Sequence, residues 1–369
     1  MKVGLVTYYA VTNVGDRILT DVVTWMLKKN GNDVCIVDLN ARYPFRFSGF
    51  LGKIEKFVCN IFIRRSSFED KEKYFERRLK NVDYILFGGG QILEPGRCNT
   101  TTNICMITTI AEKYNIPISY NAVGFYKSGV TFVCEELSNA LLSHQIQYFS
   151  YREHSTNFVN NIFESSNAVL QKVCDTAVWC SEAYNIKRKV RDAIKIVGIN
   201  IIYAEAFSLT YAVPINDVIN EYVKIYKNLT DLGYDCYFFT NGVNKDSITI
   251  DKVLKILELD DSKVLKQKHS RNGKDFVTFI NNFDFIISSR LHTSICSYSL
   301  RIPTIALSWD PKIDDFYGQI GYSQNVFKIG DERLNRIDTV ITSAAKMYSD
   351  IKRYDDYRNT IINSIPGLL

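Results

Sequence analysis

The chain has 369 residues, 46% hydrophobic and 23% charged, which are ordinary values for a folded protein with room for about two domains. With 7 Pro and 19 Gly, it is neither collagen-like nor of low complexity. Its 45 Lys plus Arg against 40 Asp plus Glu leave +5, compatible with an anionic small molecule or a membrane surface but too little to call for nucleic acid.

The nine Cys contain no C-x-x-C pair and only four His accompany them, so no zinc ribbon, thioredoxin-like pair or other metal site is expected. Several Cys fall in apolar runs and read as buried, reduced thiols of a cytoplasmic protein. The run Met1–Tyr9 is too short for a signal peptide and reads as a buried first strand. No uncharged apolar stretch of about 18 residues follows, so no membrane span is expected. The protein is expected in the cytoplasm, with a peripheral place at the inner face of the cell membrane as an alternative.

Short apolar runs alternate with longer amphipathic segments, the pattern of parallel sheets covered by helices. In the first half the runs predict strands at 2–8, 33–37, 82–87, 117–123, 147–151 and 169–172. Helices are predicted at 16–29, 69–80, 101–114, 132–143 and 153–163. The stretch 41–67 reads as an irregular insertion rich in aromatic and basic residues, among them Arg42, Tyr43, Phe45, Arg46 and Phe47. Such a mixture suits a membrane surface, or an ordinary packed excursion of the first domain.

The alternation restarts after the polar stretch 181–193, with strands predicted at 194–201, 235–239, 263–265, 284–288 and 303–308. Helices are predicted at 213–231, 247–259, 273–281, 291–299 and 311–320, and the segment 331–362 reads as helical. The expectation is an α/β protein of two Rossmann-like domains facing a cleft. Residues 1–185 would form the first domain and 186–345 the second, with a helix in 346–369 returning to the first. In such sheets ligands sit beyond the carboxyl ends of strands, near helix N-termini.

Five motifs fall at such ends. Asn13-Val14-Gly15-Asp16 opens the first helix; Gly15 permits close backbone approach, and Asp16 either caps the helix or offers a carboxylate. Gly88-Gly89-Gly90 ends the strand around Ile85, where it reads as a backbone cradle or a flexible turn, with Glu94 just beyond. Gly124 closes the next strand, and Arg152 lies between a strand and a helix, a good place to recognise a carboxylate or phosphate. Cys174-Asp175-Thr176-Ala177 follows another strand, where Asp175 caps or orients a neighbour. The most specific block is Ser288-Ser289-Arg290-Leu291-His292. Arg290 supplies a permanent charged fork and His292 a group that titrates near neutrality, with Lys312 downstream of the strand after Pro303.

Taken together and in this order, these motifs resemble the polysaccharide pyruvyl transferase family over about residues 3 to 321. Three positions depart from the family pattern: Arg301 stands where Gly is expected, Phe125 follows Gly124, and Thr176 follows Asp175. The resemblance implies a GT-B-like pair of domains, with the acceptor on the first and the donor on the second. It implies transfer of the pyruvyl group of phosphoenolpyruvate to two hydroxyls of a sugar, in a surface polysaccharide or its lipid-linked precursor. Donor binding would fall to Arg290, Leu291, Arg152 and Lys312, and acid catalysis to His292, with Asp16 or Glu94 as the base. The backbone of Asn13, Gly15, Gly88, Gly89, Gly90 and Gly124 would line the cleft. No metal and no cofactor beyond phosphoenolpyruvate as co-substrate would be needed. Two other readings stay open: a nucleotide-sugar glycosyltransferase of the same architecture, and a non-catalytic ligand-binding protein.

Overall fold

The structure is a computed structural model that describes the chain except residues 10–12, 42–67, 126–131, 153–155, 165, 190–192, 242–243, 267–271, 347–349, 363, 366 and 368–369. The aromatic and basic stretch 42–67, with its membrane reading, lies outside the described residues. The chain divides into two compact units. Unit 1 comprises 1–11, 19–176 and 359–369; unit 2 comprises 12–18 and 177–358. The division falls at 176/177, ahead of the polar stretch 181–193. Helix Ile351–Asn359 counts with unit 2 up to Arg358, and only the residues after it count with unit 1.

Unit 1 is built on a parallel six-stranded sheet of β1 (Lys2–Thr7), β2 (Asp33–Asp38), β3 (Tyr84–Leu93), β4 (Ile118–Phe125), β5 (Ile146–Tyr151) and β6 (Val169–Lys172). The spatial order is β2-β1-β3-β4-β5-β6, so the winding reverses between β1 and β3. β1, β3 and β4 are buried on both faces, as expected of parallel strands with helices on each side; Val3, Leu5, Ile85, Leu86 and Val123 are fully buried. The helices are α1 (Val14–Lys29), α2 (Phe68–Leu79), α3 (Asn99–Tyr114), α4 (Glu135–Leu141) and α5 (Thr156–Phe163). The first turn of α1 belongs to unit 2.

Two elements of unit 1 differ from expectation. β3 does not stop at residue 87 but runs on through the three glycines to Leu93, pairing Gly88 with Asn121 and Gly90 with Val123. Gly89 and Gly90 take φ of 73° and 85°, and opposite them Ala122 takes φ of 49°. The Ser150 hydroxyl accepts from Ala122 N at 2.9 Å and donates to Tyr120 O at 3.1 Å, closing the irregularity this leaves between β4 and β5. The predicted helix 132–143 is shorter, Glu135–Leu141.

Unit 2 carries a parallel five-stranded sheet of β7 (Ile196–Asn200), β8 (Asp235–Phe239), β9 (Phe285–Ser288), β10 (Thr304–Leu307) and β11 (Val326–Phe327), in the order β11-β10-β9-β7-β8. Here the winding reverses between β7 and β9. The described helices are α6 (Cys180–Ala183), α7 (Glu205–Tyr211), α8 (Ile215–Asp231), α9 (Asn244–Leu257), α10 (Gly273–Ile280), α11 (Leu291–Ser299), α12 (Pro311–Gln319), α13 (Ile337–Ala345) and α14 (Ile351–Asn359). α8 buries Val218, Tyr222, Ile225 and Leu229 on one stripe at helical spacing against the sheet. Segment 263–265 is no strand: Asp260 caps a short 3-10 turn at Asp261–Lys263, leaving one bridge from Val264 to Phe238. β11 and α7 were not expected, and at two and seven residues they are too short for a periodic signal.

Candidate functional site

In unit 2 the carboxyl ends of β7 and β9 flank the reversal of strand order, where open α/β sheets bind ligands. β9 ends at Ser288, whose hydroxyl accepts from Arg290 N at 3.2 Å and donates to Arg290 O at 2.9 Å. This local turn makes Arg290 the N-cap of α11 in an extended conformation. The Arg290 Nη2 donates to both Asp246 carboxylate oxygens at 2.6 Å, and Asp246 Oδ1 also accepts from Tyr203 N at 3.0 Å. Asp246 sits in the first turn of α9 and is 0% exposed. Burial pushes its carboxyl above the usual range, more than the Arg290 charge pulls it down.

A polar network surrounds the pair. Tyr222 and Ser289 share a hydroxyl–hydroxyl bond of 2.6 Å, and Trp309 Nε1 donates to Ser289 O at 2.7 Å. Thr293 donates to Asn241 Oδ1 at 2.8 Å, which also accepts from Asn200 Nδ2 at 3.1 Å. Burial drives the Tyr222 hydroxyl far above its ordinary value, so it stays protonated and can act as a donor.

His292 is the second residue of α11, and the N-terminal motif meets it within unit 2. A Cβ on Gly15 would lie 2.2 Å from His292 Nδ1 and 2.5 Å from its Cγ, so the imidazole rests directly on the Gly15 backbone. Asn13 Oδ1 accepts from Gly15 N at 3.1 Å, and its Nδ2 donates to Asp16 Oδ2 at 3.2 Å. The N-x-G-D motif therefore shapes a helix start, orients its Asp, and clears space for an imidazole. Leu291 is 7% exposed and packs in the core. Lys312, in the first turn of α12, pairs with Asp310 at 2.8 Å and lies over the Trp309 ring at 5.1 Å.

The remaining predicted residues lie in unit 1. Arg152 is buried after β5 and donates to Asp175, so Asp175 orients a neighbouring cation. Gly88, Gly89 and Gly90 are buried inside β3 rather than forming an open loop, and Gly124 is buried in β4 beside Gln91. Glu94 is half-buried just after β3. Among the described residues, no group of three His, Cys, Asp or Glu is placed to hold a metal. No described helix is long and apolar enough to cross a membrane.

Asp246, Tyr222, Asn200 and Asn241 escaped the sequence reading. The signal present for Asp246 was an acidic residue at the start of the helix that follows β8, which also describes any ordinary helix start.

Comparison with solved structures identifies the class. UDP-GlcNAc 2-epimerase from Methanocaldococcus jannaschii superposes with TM-score 0.55 at 14% identity, covering 100% of this chain and 97% of that one. The Neisseria meningitidis UDP-GlcNAc 2-epimerase bound to UDP-GlcNAc gives TM-score 0.55 at 14% identity, covering 98% of each. A putative UDP-N-acetylglucosamine 2-epimerase from Listeria monocytogenes gives 0.50 at 11%, covering 100% and 93%. At these identities the likeness defines the fold alone: an α/β protein of two Rossmann-like domains, GT-B-like. No curated protein matches the chain. The family model for polysaccharide pyruvyl transferase matches residues 13–311, from the Asn13 motif past the Arg290–His292 block, and the chain belongs to that family.

Proposed function

We propose that the chain transfers the pyruvyl group of phosphoenolpyruvate to two hydroxyls of a sugar, forming a cyclic ketal and releasing phosphate. The observation that carries this reading is the Arg290–His292 block at the reversal point of the second sheet, within the span matched by the family. The donor carries a carboxylate and a phosphate, and its C2 becomes electrophilic only once C3 is protonated. His292 delivers that proton. One sugar hydroxyl then adds to C2; the C2–O bond to phosphate breaks; the second hydroxyl adds. Of the two hydroxyl protons, one restores the acid and the other leaves with phosphate, so the sum balances without a redox partner. Asp16, held by Asn13, or Glu94 accepts a hydroxyl proton.

Arg290 leads as the donor-binding cation, with Arg152 and Lys312 as further candidates. Each of the three faces a carboxylate. Arg290 differs in that its Nε is buried and has no acceptor among the described residues. The acceptor is a sugar of a surface polysaccharide or of its lipid-linked precursor, and the reaction runs in the cytoplasm or at the inner membrane face. The nucleotide-sugar glycosyltransferase reading draws only on the shared fold.

The test is a mass-spectrometric search for pyruvyl ketals on candidate acceptors, with phosphate release measured in parallel. Wild type is expected to give both products in equal amounts. His292→Gln should lower turnover by roughly 100- to 10,000-fold, the usual share of a positioned acid. Undiminished turnover in that variant would remove His292 from the chemistry.

A further inference from the structure

We propose that Asp246 is a positioning residue that locks the Arg290 guanidinium for an incoming anion; this rests on the reading that Arg290 holds the donor. Among the described residues, Nη2 is the only guanidinium nitrogen of Arg290 with an acceptor, and both Asp246 oxygens converge on it. Nη1 remains for a ligand. Nε is buried and lacks an acceptor among the described residues, a costly state for an N–H that folding stability alone does not favour.

Asp246 is itself over-determined. It is 0% exposed, sits in the first turn of α9, and takes the Tyr203 backbone N–H on the oxygen it shares with Arg290. The backbone before Arg290 is held at Ser289, whose hydroxyl bonds Tyr222 and whose carbonyl accepts from Trp309. A guanidinium gripped at one nitrogen, on a backbone pinned at the adjacent residue, has lost its freedom before ligand binds. Less ordering then remains to oppose binding, which is the advantage of pre-organisation. Stability alone explains the pair poorly, because a buried ion pair is commonly no better than apolar residues of the same volume. The arrangement also limits the net positive charge at the site while keeping directional donors. That favours a small anion bound by shape over a diffuse attraction for polyanions.

The experiment is a calorimetric titration of the full chain with phosphoenolpyruvate and, separately, with inorganic phosphate. It compares wild type, Asp246→Asn, Arg290→Ala and the double variant, with the fold of each checked by circular dichroism. Asp246→Asn is expected to weaken both anions at least about tenfold, and to add nothing in the Arg290→Ala background. With an acceptor in hand, KM for the donor should rise while kcat stays within about threefold, the mark of lost uniform binding. Affinity within about twofold of wild type, or an equal loss without Arg290, would overturn the role. Should wild type bind phosphate but not phosphoenolpyruvate, the donor reading fails and the phosphate series still decides Asp246. Should wild type bind neither, both fall. If Asp246→Asn does not fold, Arg290→Lys carries the test: it keeps the charge but lacks the fork. A tenfold loss for phosphate is then expected, and full affinity would contradict the proposal.

Discussion

The contact between Gly15 and His292 shows how two distant motifs become one feature. The imidazole occupies the space a side chain at position 15 would need, at 2.2 Å from Nδ1. No rotation of a methyl group relieves that overlap, so Gly15→Ala must displace His292 or the start of α1. Overpacking of this kind costs about 1–3 kcal/mol. A displacement of about 1 Å in a catalytic group can cost about 100-fold in rate. Gly15→Ala is therefore expected to lower turnover about 100-fold while the protein still melts cooperatively; turnover at the wild-type level would show that the ring's position is not critical. Arg301 illustrates the reverse case. It takes φ of 57° at the end of α11, the left-handed region that favours the Gly expected there, and its guanidinium lies 5.7 Å from the Tyr354 ring centroid.

At the scale of elements, β3 carries the most specific prediction. Gly88 and Gly89 are adjacent, yet each excludes a side chain for a different reason. A Cβ on Gly88 would lie 2.5 Å from Leu5 Cδ1, whereas one on Gly89 would meet only ordinary contacts, the nearest at 3.5 Å, but at φ of 73°. Gly88→Ala should lose about 1–3 kcal/mol by overpacking, and Gly89→Ala about 1–2 kcal/mol by backbone strain. Leu5→Val should restore stability in the first background and deepen the loss in the second. Equal responses measured by urea melts would refute the distinction. The same strand shows where sequence reading ran short. The apolar run through Phe87 was legible, but three glycines read as the end of a strand because nothing local reveals that Ala122 and Ser150 supply a matching irregularity across the sheet. The strands β1 and β9 were legible because they are buried on both faces, and the helices because they bury one stripe at helical spacing. β11 was invisible at two residues, and 263–265 is apolar enough for a strand but is turned by the Asp260 cap.

At the scale of the molecule, the restart of strand–helix alternation was enough to foresee two parallel α/β sheets. The Arg290–His292 block was foreseen because two chemically distinctive residues follow a buried strand. Its support was not, since Asp246 is brought to Arg290 only by the order β9-β7-β8. Burial also sets a response to alkali. None of the eight described cysteines forms a disulfide, and burial lifts the Cys236 thiol from its ordinary 9.0 to about 12. A raised folded value means that this stability is complete below about pH 9 and is lost as pH rises toward 12. Tyr74, lifted from 10.0 to about 12, acts with the same sign. Each such group contributes a slope of about 1.4 kcal/mol per pH unit inside its window. Urea melts across pH 8 to 11 should show falling stability, with a shallower fall in Cys236→Ala. An identical slope in that variant would place the alkaline sensitivity elsewhere.

The most direct test of the central claim, that Arg290 anchors a phosphoenolpyruvate site, needs no acceptor. Thermal melting of wild type and Arg290→Ala would be compared with millimolar phosphoenolpyruvate and with a panel of nucleotide sugars. A ligand that binds only the folded state raises the melting temperature. A rise with phosphoenolpyruvate alone is expected, abolished in Arg290→Ala. A rise with a nucleotide sugar and none with phosphoenolpyruvate would contradict it and favour the glycosyltransferase.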